Sequence, residues 1–287
     1  MIVTPCLKFY RIVVGSVESK RAISLFILSG LFSLGVFRNI HLPGIYVDAV
    51  NPDYLAAKII SGSQYISHFP PWDAFPVLGN WYHGVMHTYF GLIFFSIFGF
   101  SIFSLRIAHA IFGVGILLIS HMILSKATGS RFFSLLIIGT LAIDPAFIFA
   151  FRTQNYITLS PLFFLLVSFY LLLLMSNNND VLPRWKRFSI ASGVLSGWSF
   201  YGYFIYIFFL PAFVIMLAHL SRKFSYSWLR IILFWLTGFT LGAFLYFYGY
   251  ARLLVEYNDF SEVVKQASGI SITGEQVASE GHIFTFG

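Results

Sequence analysis

The stretch 104–124 reads SLRIAHAIFGVGILLISHMIL and carries one charged side chain, Arg106, near its start. As an α-helix, this run rises about 31 Å, the thickness of a bilayer's hydrocarbon core. It therefore reads as a transmembrane helix. Further runs near bilayer length lie at 22–37, 132–151, 156–175, 188–203, 204–220 and 230–250. Another, 87–103, is ambiguous. The expected fold class is an all-α integral membrane protein with about seven transmembrane helices.

Composition agrees. Of the 287 residues, 58% are hydrophobic and only 10% charged, with a mean hydropathy of +0.80. A soluble domain needs roughly a quarter of its residues charged to cover its surface, so the missing polar surface must face lipid. The 35 phenylalanines suit helices packed in hydrocarbon. The single cysteine, Cys6, excludes an intramolecular disulfide. A net charge of +7 raises nucleic acid as a partner, but the basic residues sit in short clusters between apolar runs, and no aromatic-basic platform accompanies them. Nucleic acid is not an expected partner; membrane lipid is. No small-residue cleavage site follows the first apolar run, so it is not read as a signal peptide.

Orientation follows from the clusters Lys8/Arg11/Lys20/Arg21, Lys126/Arg131, Arg184/Lys186/Arg187 and Arg222/Lys223/Arg230. If the N-terminus is cytoplasmic and 87–103 does not cross, all four fall on the cytoplasmic side, as the positive-inside rule requires. The run 87–103 is thus expected to be an interfacial or re-entrant helix of a long first external loop, 38–103. Basic loops on both flanks of 188–220 demand an even number of crossings, so two short helices should break near Tyr201-Gly202-Tyr203. Gly193 and Gly197 form a GxxxG pair, read as helix packing. The module spans 1–250. The polar tail 251–287 is expected to begin a further loop or domain of a longer protein. The expected location is the cell inner (plasma) membrane, with any active site extracytoplasmic.

The first external loop gathers Asp48, Asp53, His68, Asp73, Tyr82 and His83, with His87 just beyond. Asn51-Pro52-Asp53 has the form of a helix start, which by itself explains Asp53. Asp48, between Val47 and Ala49, has no such explanation. Desolvation there would suit it to act as a general base, against the alternative of a solvated loop acid. His83 and His87 stand four apart, but Gly84 replaces the glutamate of the zinc-protease pattern. No metal site is assigned, and a divalent metal cofactor stays open. Arg106 and Arg152 both lie at the external ends of spans, against the charge rule. Each either grips an anion such as phosphate or snorkels to headgroups. Gln154 and Asn155 could add neutral hydrogen bonds. Asp144, before Pro145, is a second candidate acid or simply part of a local helix break.

Three stretches together resemble a known family. They are 44–62 (GIYVDAVNPDYLAAKIISG), 95–114 (FSIFGFSIFSLRIAHAIFGV) and 141–159 (LAIDPAFIFAFRTQNYITL). In order and spacing they resemble the GT-C membrane glycosyltransferases, in particular the ArnT-like and protein-mannosyltransferase-like branch, glycosyltransferase family 39. The likeness runs over about 22–250. It implies a polyprenyl-phosphate-linked sugar donor, a lipid, glycan or protein acceptor, and inverting transfer on the external face. Asp48 then matches the catalytic base, Arg106 and Arg152 the donor-phosphate contacts, and Tyr82, His83, Gln154 and Asn155 the substrate-binding positions. Asp53 and Asp144 are left as second acids. The chain departs from the family at Ala49, where many members have glutamate, and at Gln154-Asn155, where a carboxylate is expected. Two other readings stand beside it: a transporter or flippase for a lipid-linked or anionic substrate, and an inactive truncated paralogue.

Overall fold

A computed structural model describes residues 19–41, 77–80, 83–152, 156–177, 184–224 and 228–257, with isolated positions between 56 and 60. Helices dominate. In chain order they are α1 (Ser19–Phe37), α2 (Met86–Phe98), α3 (Ile102–Thr128), α4 (Arg131–Ile143), α5 (Pro145–Arg152), α6 (Tyr156–Asn177), α7 (Trp185–Gly202), a 3-10 helix (Phe204–Phe209), α8 (Leu210–Phe224), α9 (Trp228–Gly242) and α10 (Phe244–Tyr257). Before α2, the short strands β1 (Leu78–Asn80) and β2 (His83–Gly84) pair antiparallel.

Among the described residues, three segments are long and apolar enough to cross a membrane: Ile102–Thr128, Leu159–Ser176 and Phe204–Lys223. Counting the bent pairs α4/α5 and α9/α10 as one span each brings the number to five. The outward faces of these helices and of α1 are apolar: Phe26, Phe132, Phe208 and Ile215 are all at least 70% exposed. A water-facing surface of this kind would drive aggregation, whereas lipid accepts it.

Local chemistry sets the helix ends. The Ser101 hydroxyl accepts from the Ser104 amide at the start of α3. At its other end Gly129 turns left-handed (φ 67°). Ser130 then caps α4 by accepting from the Phe133 amide. Gly99, also at positive φ (72°), stops α2 after 13 residues. That is about 20 Å, short of the roughly 30 Å hydrocarbon core. The break foreseen at 201–203 falls at Tyr203, whose extended backbone (φ −155°) separates α7 from the 3-10 helix.

Two of the runs near bilayer length are bent, one of them at the Asp144-Pro145 break. The run 132–151 bends by 55° between α4 and α5, because Pro145 has no amide hydrogen to continue the ladder. The run 230–250 bends by 62° between Gly242 and Phe244. The helical chain also runs past 250, where a polar tail was expected to begin, and α10 reaches Tyr257. The apolar contact of Leu253 with Leu78 of β1 holds it there.

Among the described residues the core has two large lobes, with smaller clusters beside them. One packs α1, α3, α4 and α5 around Phe32, Leu117, Ile138 and Phe151; the other packs α6 to α9 around Leu172, Leu217 and Trp235. In the second lobe α7 and α9 touch backbone to backbone. A β-carbon at Gly193 would lie 2.1 Å from the Trp235 carbonyl oxygen, and one at Gly242 would lie 2.1 Å from that of Val194. The glycines are thus reciprocal, 193/197 on α7 against 238/242 on α9, which is the close approach that small residues permit in lipid. Beside this seam the Ser168 hydroxyl meets those of Ser192 (2.9 Å) and Ser196 (2.6 Å), and the Trp235 indole N–H donates to Ser192 at 3.1 Å.

Candidate functional site

Arg106 is one turn into α3, and Arg152 ends α5. They are far apart in sequence, yet the fold sets the end of α5 against α3, where His109, three residues after Arg106, meets Phe151, the residue before Arg152. Two features draw α5 onto the start of α3. Gly113 leaves room for Phe32 (a β-carbon there would lie 2.2 Å from Phe32 Cζ), and Phe32 meets Phe151 edge-on at 5.5 Å. His109, one turn beyond Arg106, comes within 3.2 Å of the Phe151 carbonyl oxygen through Nδ1. Arg106 is buried (4% exposed), while Arg152 is half-buried. The Arg152 Nη2 donates to the Asn39 carbonyl at 2.9 Å, so the chain leaving α1 joins the same end of the bundle. Two guanidinium groups at one end of the bundle concentrate positive charge there and offer planar forks matched to phosphate or carboxylate.

The hairpin and α2 are fixed to the bundle by Tyr201 near the end of α7. Its wholly buried hydroxyl donates to the Val77 carbonyl (2.8 Å) and accepts from the Val85 amide (3.3 Å). Gly84 lies flat against the ring, where a β-carbon would come within 2.2 Å. The Tyr89 hydroxyl on α2 lies 3.4 Å from that of Tyr201. Burial pushes the Tyr89 phenol above the ordinary tyrosine range, and the bond to Tyr201 offsets part of that.

Of the residues singled out from sequence, Arg106 and Arg152 come together. Asp144 has a different place. Its Oδ1 accepts from the amides of Ala146 (2.7 Å) and Phe147 (2.9 Å), so it caps α5 across the proline break. Of the two readings of Asp144, the local one has these two contacts behind it, and the carboxylate is exposed. His83 pairs through β2 with Asn80. Asp48, Asp53, Tyr82, Gln154 and Asn155 lie outside the described residues. His109 and Tyr201 were not foreseen as site residues. A signal existed for His109, since an ionisable residue inside an apolar run is a functional candidate by default. Tyr201 had none beyond its place at a helix break.

No protein-family model, curated protein or solved structure matches this chain.

Proposed function

We propose that this chain is a membrane glycosyltransferase of the GT-C type, moving a sugar from a polyprenyl-phosphate carrier to an acceptor on the extracytoplasmic face. The observation that carries it is the approach of the last turn of α5 to α3, through His109 and the Phe151 carbonyl at 3.2 Å, which sets the residues bearing Arg106 and Arg152 at one end of the helix bundle, beside the chain leaving α1. The reaction is a single displacement. The acceptor hydroxyl attacks the anomeric carbon, the bond from that carbon to the phosphate oxygen breaks, and configuration inverts. Asp48 takes the acceptor's proton, and the polyprenyl phosphate leaves with its charge stabilised by Arg106 and Arg152.

In this reading α1 and α7 join the five candidate spans to give seven crossings, with α2 in an external loop. The basic residues support that orientation. Lys126, Arg131, Arg222, Lys223 and Arg230 sit in terminal turns of α3, α4, α8 and α9. Connected antiparallel helices put those turns at the end opposite Arg106 and Arg152. The Lys223 ammonium donates to the carbonyl of Ser176 in the last turn of α6, at that same end.

A second reading, a transporter or flippase for a lipid-linked or anionic substrate, is favoured by the two bent pairs, at 55° and 62°. Broken helices in two places are a recurrent device of transporters. Sugar transfer from radiolabelled polyprenyl-phosphate sugars, in membranes bearing the protein or its Asp48→Asn variant, tests the first reading. Transfer by the parent and its loss in the variant is the expected result. Absence of transfer from every donor, with movement of the intact lipid-linked sugar across reconstituted vesicles, would establish the second reading in its place.

A further inference from the structure

His109 is completely buried two turns into α3. It stands three residues beyond Arg106, hence on the same face of the helix. A carbonyl oxygen can only accept, so the 3.2 Å contact with Phe151 fixes the hydrogen on Nδ1, which donates it. Phe151 is the penultimate residue of α5. Its carbonyl belongs to the last turn of α5, where helix carbonyls take partners from outside the helix. The imidazole therefore caps α5 from the side, at the residue preceding Arg152. Gly113, a turn deeper on α3, admits Phe32 against Phe151 and closes the other side of the same turn.

We propose that His109 is a positioning residue. By pinning the last turn of α5 it sets where Arg152 stands relative to Arg106, and so the geometry in which the phosphate of a lipid-linked sugar is held. The ligand rests on the glycosyltransferase reading; the pin does not. Bidentate phosphate recognition is steep in geometry, and a misplacement of about 1 Å at a reacting centre can cost on the order of a hundredfold in rate.

The test compares two variants of the full chain in detergent. In His109→Asn the carboxamide nitrogen lies where Nδ1 lies and keeps the donor. His109→Leu keeps apolar volume without a donor; His109→Gln, whose amide reaches past the carbonyl, replaces it if the leucine variant does not fold. Hydrogen exchange over 145–152 and the affinity for a short-chain isoprenyl phosphate are the readouts. Loss of the bond at a buried carbonyl is expected to speed exchange and weaken binding about tenfold in His109→Leu. His109→Asn should stay near wild type in both. Unchanged exchange and affinity in His109→Leu, or a His109→Asn variant as impaired as the leucine one, would overturn the proposal. Faster exchange in His109→Leu with no isoprenyl phosphate bound even by wild type would overturn the phosphate site instead, leaving His109 a packing residue and the glycosyltransferase reading without its donor contact.

Discussion

Gly197→Ala should be among the most damaging single-methyl additions in this protein. A β-carbon at 197 would lie 2.1 Å from the Phe239 carbonyl oxygen and 2.8 Å from the Ala243 amide nitrogen. Ordinary contact begins near 3.5 Å, so the helices must part by more than an ångström. Both obstacles are backbone atoms of packed helices, and no rotamer change relieves them. Opening the α7–α9 seam would also stretch the Trp235–Ser192 hydrogen bond, now 3.1 Å. It would withdraw the other three glycine contacts together, and a gap of 0.5–1 Å forfeits about a quarter to a half of each dispersion contact. Overpacking usually costs about 1–3 kcal/mol, and a rigid backbone clash belongs at or above the upper end, about 3 kcal/mol. Gly30→Ala is the control. Nothing lies within 4 Å of its added carbon, and alanine's helix propensity makes that change neutral or stabilising by up to about 1 kcal/mol. Reversible unfolding in mixed detergent micelles measures both. Equal stabilities for the two variants would refute the backbone-contact account of this interface.

Ser192→Ala removes the acceptor of the Trp235 indole and a partner of Ser168. It should destabilise by about 1–2 kcal/mol in the same unfolding assay. Tyr201→Phe deletes one hydroxyl but strips both the Val77 carbonyl and the Val85 amide of a partner. Amide exchange over 77–85 should accelerate, by a local cost of about 1–3 kcal/mol, while the α7–α9 seam keeps its protection. Asp144→Ala should lower stability by about 1 kcal/mol through the lost cap, and Asp144→Asn far less. Under the proposed function, sugar transfer by Asp144→Asn should match the parent, because asparagine keeps the cap on α5; a large loss of transfer would point to Asp144 as a second acid.

The membrane character of the chain needed no structure. Apolar runs such as 104–124 and the scarcity of charge are properties of composition along the chain, and hydrocarbon imposes its length on any helix that crosses it. The break near Tyr201 and the packing role of Gly193 and Gly197 were legible too, from spacing and small-residue pattern. Asp144 was harder. Its Asp-Pro dipeptide suits a cap as well as a catalytic acid, and only the two amide contacts separate them. The bend between Gly242 and Phe244 lacks a proline and left no comparable mark. It depends on α10 folding over β1, where Gly249 and Leu253 meet Leu78. Arg106 and Arg152 could each be suspected from their place at the end of an apolar run, but their meeting could not. It follows from the bend between α4 and α5 and from Gly113 and His109 drawing α5 onto α3. Hydropathy is set by each residue and its neighbours in sequence. The gathering of charge at a site is set by which helices cross, and where, and that exists only once they have packed.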